Sequence, residues 1–103
     1  MPLPKSISNL YDKSGQLCRF TFKLEEQELW IATKERTEKI PFVQIRDIDS
    51  ESIHSAPDYH VMSLQIGSSP NSKLWFYYIP AQYHKAIKYS VLGVHNFPFL
   101  MKQ

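Results

Sequence analysis

Hydrophobic and polar residues alternate along the first half of the chain. Between Leu17 and Leu24 every second residue is apolar, namely Cys18, Phe20, Phe22 and Leu24. A period of two is typical of a strand with one face buried. Residues 29–33 alternate again after the short polar segment 25–27. We therefore predict a hairpin of two antiparallel strands over residues 17–33.

The next apolar segment, residues 40–48, keeps the strand pattern but loses its phase in the middle. Phe42 and Val43 are consecutive apolar residues, which predicts a bulge or a bend. Pro41 has no N–H to donate to a neighbouring strand, so we expect this strand to begin at a sheet edge. The polar residues 50–58 that follow are predicted to form a loop.

The last two predicted strands flank the strongest turn signal in the chain, the segment Gly67–Ser72. Residues 59–66 before it alternate, which predicts another half-buried strand. Residues 74–79 after it are aromatic or aliphatic at every position. This pattern predicts a strand that is covered on both faces.

The hydrophobic period changes from strand to helix after Pro80. Apolar and small residues then recur at helical spacing, and Gly93 suits the position just after a helix end, so we predict a helix over residues 81–92. Strands followed by one helix predict a mainly β (α+β) domain, an antiparallel barrel or sandwich closed by its C-terminal helix. We place this domain at residues 9–93, between a flexible arm at 1–8 and an apolar tail at 94–103 that packs back on the domain or on a neighbour.

The composition limits the classes of protein that this chain can belong to. Its 103 residues are enough for one domain, and 14% aromatic residues favour a sheet. A net charge of +2 is too small to indicate a nucleic-acid partner. The chain has neither an apolar run of membrane-spanning length nor the apolar core of a secretory signal. We therefore expect a cytoplasmic or nuclear protein.

The residues that usually carry chemistry are sparse and scattered. Cys18 lies on the apolar face of its strand, which predicts a buried structural cysteine. The four histidines lack the spacing of a zinc site, and three glycines form no phosphate-binding loop. We therefore predict no catalytic residues, no metal and no cofactor, and we expect a binding module that is not an enzyme.

Two segments leave more than one interpretation open. The charged segment Lys34–Lys39 is either a solvated loop or part of a contact surface, since its two glutamates cancel much of its positive charge. Trp75, Tyr77 and Tyr78 are either a base-stacking platform or a covered core strand, and the second interpretation explains the pattern better. No nucleic-acid partner is therefore predicted.

A longer match then points to a family. Residues 29–41, Leu-Trp-Ile-Ala-Thr-Lys-Glu-Arg-Thr-Glu-Lys-Ile-Pro, resemble the C-terminal domain of the ubiquitin-family-domain-containing proteins, also called ubiquitin-binding protein homologues. Further matches follow in the same order at residues 58–60, 79–80 and 82–93. The resemblance covers about residues 10–93 and implies a PH-like fold of six or seven strands with one helix. It also implies a role in the ubiquitin system.

The family's members carry a ubiquitin-like domain upstream of this one. The 103 residues of this chain include no such domain, so no property of that domain is carried over. The resemblance implies a non-catalytic protein-interaction module whose partner is ubiquitin or another component of the ubiquitin system. The candidate contact residues are Trp30, Lys34, Arg36, Lys39 and Tyr59.

The PH-like fold implied by the resemblance also raises phosphoinositide or phosphate binding as an alternative. Its candidate residues are Lys13, Arg19, Lys34 and Arg36. Lys13 and Arg19 match two positions of the basic pattern that PH lipid sites carry, but Thr21 occupies the third. A membrane lipid is for that reason the weaker expectation. The alternative requires these four side chains to converge on one concave site.

Overall fold

The structure, a computed structural model, describes residues 2–96 of the chain. Seven strands and one helix form within these residues. The strands are β1 Ser6–Asp12, β2 Leu17–Lys23, β3 Glu28–Ala32, β4 Thr37–Pro41, β5 Ile45–Ile53, β6 Ala56–Ile66 and β7 Lys73–Pro80. The helix is α1, His84–Asn96, and short 3-10 turns occupy Phe42–Gln44 and Ala81–Tyr83.

All seven strands pair antiparallel in one curled sheet, in the order β4-β3-β2-β1-β7-β6-β5. Strands that follow one another in the chain are neighbours, except that β4 and β5 form the two opposite edges. The 3-10 turn Phe42–Gln44 joins those two edges, so the sheet curls around one core. Helix α1 packs against β5 and against this turn. The predicted antiparallel fold closed by one C-terminal helix is confirmed.

The core lies inside the curl of the sheet. Phe20 of β2 meets Phe76 of β7 edge to face, with ring centroids 4.8 Å apart. Helix α1 adds Ile87 and Val91, both fully buried. Each such apolar side chain stabilises the fold by about 1.5–3 kcal/mol relative to an exposed position. The predicted hairpin of β2 and β3 is confirmed, and Cys18 is buried in its predicted place on the apolar face.

The predicted loop over residues 50–58 is wrong. Strands β5 and β6 run through this segment and pair as far as Ile53 and Ala56, with a tight turn at residues 54–55. The segment is polar because this end of the hairpin extends beyond the core, so few of its side chains are buried. The backbone pairing therefore continues where the hydrophobic pattern stops.

The single strand predicted over residues 40–48 is also wrong, although the loss of phase at Phe42 and Val43 is real. The structure breaks the segment into β4, the 3-10 turn and β5. Phe42 is buried while Val43 is 58% exposed. Pro41 ends the edge strand β4 instead of beginning a strand. Its missing N–H is tolerated there because β4 lies at an edge of the sheet.

Strand β7 is covered on one face and not on both, contrary to the prediction. Phe76 and Ile79 are buried, whereas Tyr78 is 43% exposed. Two buried residues three positions apart require a break in the alternation. Tyr78 supplies it with a left-handed backbone, φ 69°, opposite a register shift in β6 between His60 and Met62.

The ends of the domain differ from the sequence prediction. Residues 6–8 belong to β1 and Ile7 is buried, so the flexible arm predicted for residues 1–8 is wrong for this part. Helix α1 continues through Gly93 to Asn96, so the predicted helix end at Gly93 is wrong. The predicted tail lies outside the described residues from position 97 onward.

No helix within residues 2–96 is long and apolar enough to span a membrane.

Candidate interaction surfaces

Trp30 lies on the outer face of the sheet, where it is half-buried. This position follows from the alternation of β3, in which the Leu29 and Ile31 side chains enter the core and Trp30 points the other way. The indole Nε1–H donates a hydrogen bond of 2.9 Å to the Glu28 carboxylate. The tryptophan is therefore held to the sheet by a polar contact, and part of its ring faces outward.

Two lysines flank the ring of Trp30. The Lys39 Nζ lies 4.2 Å and the Lys23 Nζ 4.6 Å from the ring centroid. On one side of β3, Lys39 of β4 pairs directly with Trp30. On the other side, Thr21 of β2 pairs with Trp30, and Lys23 lies two residues further along β2. Cation–π contacts at exposed positions contribute about 0.5–1 kcal/mol each. We call the group Lys23, Glu28, Trp30 and Lys39 the Trp30 face.

The predicted loop Lys34–Lys39 is a loop only in its first half, since Thr37 begins β4. The Thr33 Oγ1 accepts hydrogen bonds from the backbone N–H groups of Glu35 and Arg36, both at 3.3 Å, and so closes the turn. Arg36 pairs with Glu38 at 2.8 Å, with 75% and 51% of the two side chains exposed. Such an exposed pair contributes at most about 1 kcal/mol, so Arg36 is easily released to another partner.

Tyr59 does not lie beside Trp30. Three strands, β2, β1 and β7, separate the strands that carry the two residues. Tyr59 instead meets Tyr78 edge on at 5.8 Å, and Tyr78 meets Tyr11 at 6.1 Å. These tyrosines form an exposed cluster that the sequence analysis missed, because it depends on the break in alternation at Tyr78. The predicted contact residues therefore do not form one surface: Trp30 and Lys39 lie together, Tyr59 lies in the tyrosine cluster, and Arg36 pairs with Glu38, which alternates with Lys39 and faces the other side of β4.

The four cations of the alternative phosphate site do not converge. Lys13 and Arg36 line one cavity of about 260 Å³, together with Lys73. Arg19 and Lys34 line another, of about 270 Å³. The first cavity also contains the carboxylates of Asp12 and Glu38, which offset its positive charge. The structure therefore lacks, among the residues it describes, the single concave site that this alternative requires.

The buried thiol of Cys18 is poorly suited to act as a nucleophile. Its Sγ–H contacts the backbone oxygen of Gln16 at 3.4 Å. Burial, followed by the nearby Asp12 carboxylate, raises the pKa of the Cys18 thiol above its ordinary value. A raised pKa reduces the fraction of the reactive thiolate at neutral pH.

A serine–histidine pair lies between β5, β6 and α1. Ser50 Oγ is 2.6 Å from His60 Nδ1, and the His60 ring stacks on His84 with centroids 4.4 Å apart. No carboxylate within the described part of the chain is hydrogen-bonded to either ring, so the third member of a catalytic triad is not in place. Residues 2–96 also contain no cluster of three potential metal ligands.

Comparisons of this chain with a family model and with individual proteins point to the same relatives. The model of the family described as the C-terminal PH-like domain in UBFD1 matches residues 1–93. The human ubiquitin domain-containing protein UBFD1 is 51% identical over 87 residues, which are 84% of this chain and 28% of the human protein. The mouse protein of the same name is also 51% identical over 87 residues, 24% of its length. The chain thus spans about a quarter of these relatives.

Proposed function

The chain belongs to the family of C-terminal PH-like domains in UBFD1, and on this premise we propose that it is a non-catalytic protein-interaction module of the ubiquitin system. The family assignment confirms the resemblance seen in residues 29–41. The relatives are named for a ubiquitin domain. The proposal assigns this domain the task of holding a protein partner.

The observation that carries the proposal is the position of Trp30. A large aromatic residue on the outer face of a sheet adds little to the core, and tryptophan is among the residues enriched at binding hot spots. Lys39 and Lys23 flank the ring, and the exposed Lys34 lies in the turn that joins β3 to β4. The Trp30 face therefore combines an aromatic anchor with a basic rim.

This combination favours a partner surface with an apolar patch bordered by carboxylates. The apolar patch would cover the indole ring, and the carboxylates would bind the two ammonium groups that already lie over it. Ubiquitin or another ubiquitin-system protein is the proposed partner. Tyr59 belongs to the tyrosine cluster, so we do not include it in this contact.

The non-catalytic part of the proposal has its own support. Ser50 and His60 are within hydrogen-bonding distance, but the His60 ring stacks on a second imidazole instead of contacting a carboxylate. Cys18 is buried with a raised pKa. Neither arrangement favours nucleophilic catalysis, which needs an activated nucleophile and an oriented base.

Titration of the isotope-labelled protein with mono-ubiquitin and di-ubiquitin tests the proposal. We expect NMR shifts confined to the amides of the Trp30 face and to the indole N–H of Trp30, with little change at the indole N–H of Trp75. Soluble phosphoinositide head groups form the comparison titration. Shifts near Lys13 and Arg19 with head groups, and none with ubiquitin, would contradict the proposal.

A further inference from the structure

Strand β5 is an edge of the sheet, with β6 as its one neighbour among the described residues. Between Asp47 and Ser52 the two strands pair in a regular antiparallel register. The Ile48 N–H donates to the Asp47 carboxylate at 2.9 Å. This N–H therefore faces away from β6, toward the open edge.

Backbone groups alternate between the two sides of an antiparallel strand. Since the Ile48 N–H faces the open edge, the N–H and C=O groups of Ser50 and Ser52 face it as well. An edge with a row of such groups is a template for an additional strand. Ser50 and Ser52 thus offer an incoming segment the main-chain hydrogen bonds of a continued sheet.

A groove of about 450 Å³ runs between this edge and helix α1. Its strand side is formed by Ile48, Asp49 and Ser50, and its helix side by His84, Lys85, Lys88 and Tyr89. Lys85 and Lys88 are exposed, and Tyr89 is 56% exposed. An additional strand on β5 would lie directly below this face of the helix.

The helix side of the groove is positively charged. Residues 61–96 contain Lys73, Lys85 and Lys88 but no Asp or Glu. Burial lowers the pKa of the neighbouring His84, and the charges of His60, Lys85 and Lys88 lower it further. Asp49 is on the strand side, but alternation with the buried Ile48 directs its side chain to the outer face of the sheet. Acidic groups complement the helix side of this groove.

We propose that the groove between β5 and α1 binds an extended acidic segment of a partner protein, which adds a strand to the open edge of β5 while its carboxylates bind Lys85 and Lys88. Strand addition of this kind combines main-chain hydrogen bonds for affinity with side-chain contacts for specificity. The inference rests on the proposed function as a protein-interaction module, but its residues are separate from the Trp30 face.

The first experiment uses a synthetic eight-residue peptide that alternates glutamate with valine or threonine, capped at both ends. It is titrated into the labelled full chain and monitored by NMR shifts and amide hydrogen exchange. We expect shifts along β5 and α1, and slower exchange of the Ser50 and Ser52 amides. The same peptide with lysine in place of every glutamate is the control and should not bind.

Two variants separate the parts of the proposal. The double variant Lys85→Glu, Lys88→Glu changes exposed positions and should weaken binding about tenfold or more, the effect of losing roughly 1.4 kcal/mol. Ser52→Pro removes an N–H that faces the open edge and leaves the pairing with β6 intact, so it should also weaken binding. Ser52→Ala keeps that N–H and should bind like the unmodified protein.

Three results would overturn the inference. Equal affinity for the glutamate and lysine peptides would exclude the charge selection, and peptide shifts without slower Ser50 and Ser52 exchange would exclude strand addition. Slow exchange of these amides before any peptide is added would show that the chain itself covers the edge. Ubiquitin shifts at the Trp30 face are read from the same amide spectra, so failure of this inference is distinguishable from failure of the proposed function.

Discussion

The imidazole rings of His60 and His84 stack with their centroids 4.4 Å apart and their planes 23° from parallel. Burial, followed by the charges of His60, Lys85 and Lys88, lowers the pKa of His84 below its ordinary value of 6.5. The Ser50 hydroxyl on β5 is hydrogen-bonded to the His60 ring at its Nδ1. The folded protein therefore disfavours a proton on His84, and this links its stability to pH.

We expect acid to destabilise the fold through His84. As pH falls below about 6.5, the unfolded chain binds a proton at His84 before the folded protein does, so the free energy of unfolding declines. The decline ends once pH passes the lowered pKa of the folded state, and above 6.5 this contribution is constant. Urea unfolding at pH 7.5, 6.5 and 5.5 measures the slope. His84→Gln should flatten it, while the exposed control His54→Gln should not. An identical slope in the two variants would contradict this assignment.

The backbone of Tyr78 should prefer glycine. Its φ of 69° lies in the left-handed region, which costs a residue with a Cβ about 1–2 kcal/mol. Both Tyr78→Gly and Tyr78→Ala remove the ring contacts to Tyr11 and Tyr59, so their difference isolates the backbone. We expect Tyr78→Gly to be more stable than Tyr78→Ala by about 1 kcal/mol in thermal or urea unfolding.

The neighbouring residue provides the control for this comparison. Tyr77 has no left-handed backbone and pairs with Tyr11. Glycine in an ordinary strand costs about 0.5–1 kcal/mol relative to alanine, so Tyr77→Gly should be less stable than Tyr77→Ala. The same order of stability at both positions would exclude the strain assigned to Tyr78.

Phe42 should be the residue that secures the junction of the two sheet edges. It is 1% exposed within the 3-10 turn between β4 and β5, and its N–H donates to the Gln27 oxygen at 2.8 Å. Phe42→Ala should lower the free energy of unfolding by about 3–5 kcal/mol through the cavity it leaves. Val43→Ala, one residue away and exposed, should change it by less than about 0.5 kcal/mol. Equal effects would contradict the placement of the turn.

Asp12 should stabilise the turn between β1 and β2. Its Oδ1 accepts hydrogen bonds of 2.9 Å from the backbone N–H groups of both Ser14 and Gln16. Asp12→Ala removes both and should cost about 1–2 kcal/mol in chemical unfolding. Asp12→Asn retains an acceptor oxygen and should cost less. A larger loss for asparagine than for alanine would show that the turn does not depend on these bonds.

The sequence predicts the fold best where the sheet is regular. Residues 17–23 and 28–32 each alternate without interruption, because each of these strands buries one face against the core, and their hairpin is confirmed. The predictions fail where the backbone departs from that geometry. Tyr78 shifts the phase of β7 through a left-handed residue, and no hydrophobic pattern distinguishes this from a strand covered on both faces.

The candidate surface is predictable only in part for the same reason. Trp30 and Lys39 are found together because they lie on adjacent strands of one continuous segment. Tyr59 is separated from them because β1 and β7 pair between the two halves of the chain, a non-local contact that local patterns do not encode. The edge groups of Ser50 and Ser52 lie in a segment that is too polar to be predicted as a strand.

The most direct test of the proposed function compares the two tryptophans. Trp75 is also half-buried and has a lysine near its ring, Lys73 at 6.0 Å, so Trp75→Ala is a matched control for Trp30→Ala. Both variants are checked for an intact amide spectrum and then titrated with di-ubiquitin by calorimetry. The proposed function predicts that Trp30→Ala weakens binding about tenfold or more and that Trp75→Ala stays within about twofold of the unmodified protein. Equal affinity of the two variants would contradict the role of Trp30, and no binding by the unmodified protein would contradict ubiquitin as the partner.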